Sequence, residues 1–185
     1  MVTPTNPHLR RGGFVCPGGV DAHVHLAQDL NTGPSSSSLG GSIADDFETG
    51  SRSAVCGGTT TLIAFAAQTR DDKSLLKVVE DYYAVAESTG SFIDYGFHII
   101  ITSGDKEMLA TEFPLLRSEW GITSCKLFLT YVTMKLTDYE LLDVFYEARK
   151  HSVTTVRLPP FSSSRFSCST DTRFIFRWYT RRTAI

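Results

Sequence analysis

The chain has 185 residues, of which 42% are hydrophobic and 21% are charged, and its formal net charge is −2. Length and composition together predict one globular domain with a substantial core. No apolar run approaches the roughly 20 residues of a membrane-spanning helix, so we expect no membrane partner, and the net charge by itself favours no class of partner.

The cysteines and the N-terminus indicate a reducing compartment. The first residues, 1–7, lack the basic and apolar regions of a signal peptide. The four cysteines are widely spaced and contain no CxxC pair, which is typical of reduced thiols rather than a disulfide framework. They are Cys16, Cys56, Cys125 and Cys168. We therefore expect a cytoplasmic protein.

Charge is distributed unevenly along the chain. Residues 157–185 contain six Arg and one Asp, a local balance of +5, so residues 1–156 carry −7. The composition changes abruptly after Val156, and no helical or strand period continues beyond it. We predict a short N-terminal segment over 1–13, a folded domain over 14–156, and a disordered, basic and aromatic tail over the remainder.

Between Asp21 and Val156, strand-like and helix-like segments alternate. Runs of β-branched and apolar residues predict strands, and apolar residues at helical spacing predict helices. In chain order, the predicted elements are a strand carrying His23 and His25, a helix over Ile43–Val55, a strand over Thr59–Phe65, a helix over Lys73–Thr89 capped by Gly90, a strand over Tyr95–Thr102, a helix over Lys106–Glu119 weakened at Pro114, a strand over Ser124–Thr130, a helix that begins with the capping box of Thr137 and Glu140 and runs to Lys150, and a strand that opens at Val153–Val156.

Repeated strand–helix units predict an α/β fold with a parallel sheet. An open doubly wound sheet and part of an eight-stranded barrel both satisfy this pattern. No Gly-rich phosphate-binding loop follows any strand, which disfavours the nucleotide-binding version of the doubly wound sheet. The stretch 33–41 is rich in Ser and Gly and predicts a flexible loop, either a lid or a solvated linker.

The most informative motif is His23-Val24-His25, which follows a Pro-Gly-Gly turn. Side chains two residues apart in a strand lie on the same face, so both imidazoles can contact one divalent cation. Neutral imidazole is a preferred zinc ligand. Asp21 either orients one of these rings or faces the other way. The spacing alone also fits a pair of histidines without any function.

Lys126 lies within an otherwise apolar strand. Burying its ammonium group costs several kcal/mol unless the group is neutralised or paired. A neutral amine can add carbon dioxide and become a carbamate, which is a carboxylate able to bridge two metal ions. The alternative is a Lys at the strand end whose amine reaches solvent. The His pair favours the first interpretation.

Five segments together resemble the cyclic amidohydrolases, and most closely the dihydropyrimidinase and hydantoinase family. Their order and spacing match over about residues 14–156, whereas a lone His-X-His motif would not support the assignment. The matching segments are Pro17–His25, Ala54–Thr61, Asp94–Gly96, Lys126–Tyr131 and Tyr146–Lys150.

The resemblance implies a (β/α)8 TIM-type barrel, of which this chain would form about the first four βα units and a fifth strand, usually beside a small β-sandwich. It implies that His23 and His25 ligate Zn²⁺ and that Lys126, as N6-carboxylysine, bridges two zinc ions. It further implies that Tyr131 is catalytic and stabilises the oxyanion. The implied reaction opens a dihydropyrimidine or hydantoin ring to an N-carbamoyl amino acid, as in pyrimidine catabolism. The implied partners are this small cyclic amide or ureide and, because family members are commonly homotetramers, further copies of the chain.

The chain departs from the family pattern after Val156. The family continues with a His-Ala-Glu-Asn segment, another metal-binding His and a catalytic Asp, whereas this chain continues with Arg157 and a Pro pair. His8, His98 and His151 do not replace those ligands, and we expect His98 to be a core or strand-edge residue. We therefore expect an incomplete barrel that lacks part of the binuclear shell and is inactive by itself.

Two other classes of function stay open. A non-catalytic binding or assembly protein on the same fold is favoured by the missing downstream ligands and disfavoured by the intact His23, His25 and Lys126. Nucleic-acid binding is the least favoured alternative: the tail alternates six Arg with six aromatic residues, which suits stacking and phosphate contact, but an out-of-frame translation explains that composition at least as well.

Overall fold

The computed structural model describes residues 16–28, 43–129 and 134–158, which form five strands and four helices in alternation. Tyr131, the whole predicted N-terminal segment, the loop at 33–41 and residues 159–185 lie outside the described residues. The elements are β1 (Gly19–Val24), α1 (Phe47–Cys56), β2 (Thr59–Ala67), α2 (Leu75–Thr89), β3 (Asp94–Ile101), α3 (Lys106–Ser118), β4 (Ser124–Phe128), α4 (Asp138–Lys150) and β5 (Thr154–Leu158).

All five strands are parallel, and strands that are neighbours in sequence are neighbours in the sheet, in the order β1-β2-β3-β4-β5. A doubly wound sheet reverses its strand order at a switch point, whereas the strands of a barrel follow one another around it. The observed order confirms the predicted partial (β/α)8 barrel. The last strand includes the backbone of Arg157 and Leu158, which pair with Leu127 and Phe128, so regular structure runs past the domain boundary expected at 156.

The helix boundaries follow local capping signals. The predicted capping box of Thr137 and Glu140 is confirmed at the start of α4, and Gly90 ends α2 with a φ of +82°. The prediction that α1 begins at Ile43 is wrong, because Asp46 caps it by accepting the Thr49 backbone N–H at 2.8 Å. That helix therefore begins at Phe47.

The two ends of α1 differ in burial. Phe47 is fully buried, whereas Val55 is 41% exposed. In α3 the helix continues through Pro114 without ending there. No helix among the described residues is long and apolar enough to cross a membrane.

The two faces of the sheet carry different clusters, because successive strand residues point to opposite faces. The main core lies between the sheet and the four helices and includes Cys125 and Leu127 from β4. A smaller cluster on the inner face of the partial barrel contains Phe65, Ile100, Phe128 and Met134. Lys126 lies between Cys125 and Leu127 in sequence, so β4 directs its side chain to the inner face.

Candidate functional site

The carboxyl end of β1 delivers two imidazoles to the inner face of the partial barrel. His23 lies in the strand and His25 directly after it, and their ring centroids are 5.7 Å apart. His23 is exposed and His25 is half-buried. In (β/α)8 enzymes, residues at the carboxyl ends of the strands form the active site.

Lys126 reaches both imidazoles from β4. Its Nζ atom lies 3.3 Å from Nε2 of His23 and 3.3 Å from Nε2 of His25. The Lys126 side chain is only 1% exposed, so the alternative in which its amine reaches solvent is wrong. The structure thus brings together three of the four residues that the sequence singled out, and the fourth, Tyr131, lies outside the described residues.

The ring of Phe65 underlies all three groups. Its centroid lies 4.7 Å from that of His23, 4.7 Å from that of His25 and 4.0 Å from Nζ of Lys126. A second ring, that of Phe128, lies 4.9 Å from the same Nζ. Aromatic faces attract a cation but leave it without a counter-ion. Sequence reasoning gave Phe65 only the role of a buried strand residue.

Burial sets the ionisation of this cluster. It lowers the pKa of Lys126 from 10.5 to about 8, and no carboxylate among the described residues forms an ion pair with this amine. Burial is also the largest cause of the lowered pKa values of His23 and His25, and the charge of Lys126 lowers both further. The imidazoles are therefore held in the neutral form, which is the form that ligates metal ions.

Gln28 fixes one of the two rings, and sequence reasoning missed it. Its Oε1 atom lies 2.8 Å from Nδ1 of His25, and its Nε2 atom donates to the backbone carbonyl of Phe65 at 2.8 Å. Only 5% of Gln28 is exposed. Its partners are His25, three residues away just after β1, and the backbone of Phe65 on β2, and the contact with Phe65 forms only when β1 and β2 come together.

Two further polar residues contact the backbone of β1. The Asp21 carboxylate accepts the backbone N–H of His23 at 3.0 Å, so among the alternatives left open it supports the backbone rather than an imidazole. His98, expected as a core or strand-edge residue, lies on β3 with Nε2 at 3.0 Å from the carbonyl oxygen of Ala22 and with Nδ1 against Ser124 Oγ. His98 thereby links three strands and has no free ring nitrogen.

The donor set limits how a metal could be held. Within the described ranges, no three or more His, Cys, Asp or Glu side chains come together in a way that could hold a metal ion. The inner face offers two neutral imidazoles and one buried amine, all converging. This set fits a divalent cation once the amine of Lys126 carries an anionic oxygen donor.

Comparison with known proteins agrees with the fold. Residues 14–154 match the model of the Amidohydrolase family. The D-hydantoinase of Streptomyces coelicolor is 42% identical over 120 residues, which cover 65% of this chain and 23% of that protein. The D-phenylhydantoinase of Escherichia coli is 36% identical over 148 residues, covering 80% of this chain and 30% of that protein.

Solved structures give the same result. A D-hydantoinase crystal structure superposes with a TM-score of 0.67 at 32% identity, covering 76% of this chain and 28% of that one. The dihydropyrimidinase of Brevibacillus agri gives a TM-score of 0.66 at 27% identity, with coverage of 76% and 28%. The chain thus spans between 23% and 30% of the length of these four relatives. The predicted resemblance to hydantoinases and dihydropyrimidinases is confirmed, and the chain belongs to the amidohydrolase family.

Proposed function

We propose that this chain provides the metal-binding half of a cyclic amidohydrolase site, in which His23, His25 and carbamylated Lys126 ligate Zn²⁺. The observation that carries the proposal is the position of Lys126 Nζ, 3.3 Å from Nε2 of both imidazoles. The family match and the similarity to D-hydantoinases support the same reaction class.

Carbamylation explains how a lysine can serve in such a site. The neutral amine of Lys126 attacks carbon dioxide, an N–C bond forms, and one proton is released, which leaves an anionic carbamate. Burial against Phe65 and Phe128 favours the neutral, nucleophilic amine and shields the product from water. The carbamate supplies the oxygen donors that the two imidazoles lack.

The proposed reaction adds water across a ring amide bond. A bound divalent cation would polarise the ring carbonyl and lower the pKa of water. The water oxygen bonds to the carbonyl carbon, the ring C–N bond breaks, and the ring nitrogen takes up a proton, giving an N-carbamoyl amino acid. Tyr131 would donate a hydrogen bond to the carbonyl oxygen as negative charge develops on it.

The proposed substrates are five-membered hydantoin and six-membered dihydropyrimidine rings, in line with the names of the similar proteins. Homotetramer assembly, a cytoplasmic location and the inactivity of this chain by itself stay predictions. Assembly and location are independent of the metal-site geometry, and inactivity is measured separately from zinc binding, so the metal site can be tested by itself.

The experiment uses the full chain and its Lys126→Met variant, each supplied with zinc and bicarbonate. Dihydrouracil and hydantoin are added, and the N-carbamoyl products are quantified by mass spectrometry beside the zinc content of each protein. Zinc-dependent ring opening that the variant lacks supports the whole proposal and contradicts the prediction of inactivity. Zinc binding without turnover, again absent from the variant, supports the metal site and the prediction of inactivity. Equal zinc content in the two proteins refutes the site.

A further inference from the structure

We propose that Gln28 is a positioning residue that holds His25 in its Nδ1–H tautomer, so that Nε2 is left as the ligating atom. This inference rests on the proposed metal site, and it adds a residue that contacts neither metal nor substrate. It follows from the hydrogen bonds of Gln28 on the inner face of the partial barrel.

The first step is the orientation of the Gln28 amide. Its nitrogen donates to the backbone carbonyl of Phe65 at 2.8 Å. A flipped amide would place its oxygen against that carbonyl oxygen, and two acceptors repel at this separation. The carbonyl of Phe65 therefore fixes which end of the amide faces His25.

The second step is the proton on His25. Because Oε1 of Gln28 only accepts hydrogen bonds, Nδ1 of His25, 2.8 Å away, must carry the proton. In a neutral imidazole the other nitrogen then holds the lone pair. That nitrogen is Nε2, which lies 3.3 Å from Nζ of Lys126. The amide thus selects the tautomer whose lone pair points into the proposed site.

The third step is the rigidity of the arrangement. Phe65 stacks on His25 with ring centroids 4.7 Å apart and an angle of 25° between the planes, so one residue holds both the ring and the amide that orients it. His25 is thereby held at its edge and at its face.

The neighbouring imidazoles provide a contrast. His98 donates from Nε2 to the Ala22 carbonyl, so its Nδ1 accepts from Ser124 and its tautomer is the opposite one. For His23, the contact from Asp21 is to the backbone N–H and not to the ring. Among the described histidines of the inner face, only His25 has an amide that sets its tautomer for ligation.

The test measures tautomers in the metal-free full chain, by long-range ¹H–¹⁵N correlation of ¹⁵N-labelled histidine rings, with zinc affinity measured in parallel in chains that keep Lys126. The tautomers are read in the Lys126→Met background, because the ammonium of Lys126, 3.3 Å from Nε2 of His25, would donate to that nitrogen and hold the same tautomer without Gln28. Gln28→Leu removes the acceptor. Gln68→Leu is the matched control, because Gln68 is also buried and its amide accepts from the backbone of Thr102 at 2.9 Å instead of from an imidazole.

We expect His25 to be the Nδ1–H tautomer when Gln28 is present, including in Gln68→Leu, and to lose that preference in Gln28→Leu. Zinc affinity should fall by about 10- to 100-fold in Gln28→Leu, the usual loss when a partner of a metal ligand is removed. In that background, an Nε2–H tautomer while Gln28 is present, or an unchanged tautomer in Gln28→Leu, overturns the inference. Absence of zinc binding by the wild type refutes the proposed function instead, since the tautomer is read without metal.

Discussion

Phe65 stacks on His25 with ring centroids 4.7 Å apart and 25° between the planes, although the two residues belong to different βα units. The same ring meets His23 edge-on and lies 4.0 Å below Nζ of Lys126. One aromatic side chain therefore packs against all three polar groups of the candidate site.

Replacing Phe65 should weaken zinc binding, whereas an equally buried Phe on the other face of the sheet should affect only stability. We expect Phe65→Leu to lower the free energy of unfolding by about 1 to 3 kcal/mol and to weaken zinc binding about threefold or more. Phe97→Leu is the control, because Phe97 is 4% exposed and packs in the main core on the other face of the sheet. Equal zinc affinity in the two variants, measured by chelator competition, would show that Phe65 does not order the site.

Removing the buried amine should stabilise the metal-free protein. Below about pH 8 the ammonium of Lys126 is charged in both folded and unfolded chains, so its desolvation cost is fully present in the folded state. Lys126→Met removes that cost, and we expect the free energy of unfolding to rise by about 1 to 3 kcal/mol at neutral pH.

The control for this change is Lys77→Met, because the Lys77 side chain is 63% exposed and pairs with Asp81 on the surface of α2. Urea unfolding should show a change within about 0.5 kcal/mol for this variant. A loss of stability in Lys126→Met would mean that the buried ammonium stabilises the fold, which would contradict the expected desolvation cost.

Stability should fall in mild acid because of the inner-face histidines. His23, His25 and His98 all have pKa values below 6.5 in the folded chain, chiefly because of burial. The unfolded chain therefore binds more protons as the pH drops through about 6.5, and the stability present above that pH is progressively lost.

Urea unfolding between about pH 7 and about pH 5 measures this loss, and the His98→Gln variant should show a shallower dependence. His98 is suitable for the comparison because burial lowers its pKa more than its hydrogen bond to Ala22 raises it, so the net shift is downward. A free energy of unfolding that stays constant or rises toward acid pH would contradict the expectation.

The start of α4 offers a local test. The Thr137 hydroxyl caps the helix by accepting the Glu140 backbone N–H, and the Glu140 carboxylate accepts the Thr137 backbone N–H at 2.7 Å. We expect Thr137→Ala to cost about 1 kcal/mol in thermal or urea unfolding. Ser88→Ala, which removes a hydroxyl bonded to the Val85 carbonyl near the end of α2, should change stability by less than about 0.5 kcal/mol. Similar losses of unfolding free energy in both variants would show that the Thr137 cap stabilises the protein no more than an ordinary surface hydroxyl does.

Features encoded by near neighbours in sequence were predictable. The capping box of Thr137 and Glu140 spans four residues, and the alternation of strands and helices follows from local periodicity. The start of α1 was placed too early because its capping box pairs Asp46 with Thr49, and Thr is a weaker signal at that position than Glu or Gln.

Site features that depend on contacts between strands were only partly predictable. His23, His25 and Lys126 were found because each residue type is unusual in its local setting. Gln28 and Phe65 were not, because a buried amide and a strand Phe have no distinctive local pattern, and their roles arise only when β1 and β2 pair. Likewise, the bonds of His98 to Ala22 and Ser124 join three strands.

The most direct measurement is the zinc dissociation constant of the full chain, determined with and without bicarbonate, for the wild type and for Lys126→Met. If Lys126 ligates zinc as a carbamate beside His23 and His25, bicarbonate should tighten binding to the wild type. Lys126→Met should then bind zinc at least about tenfold more weakly and show no response to bicarbonate. Equal affinities in both proteins, with no effect of bicarbonate on either, would contradict the proposed metal site.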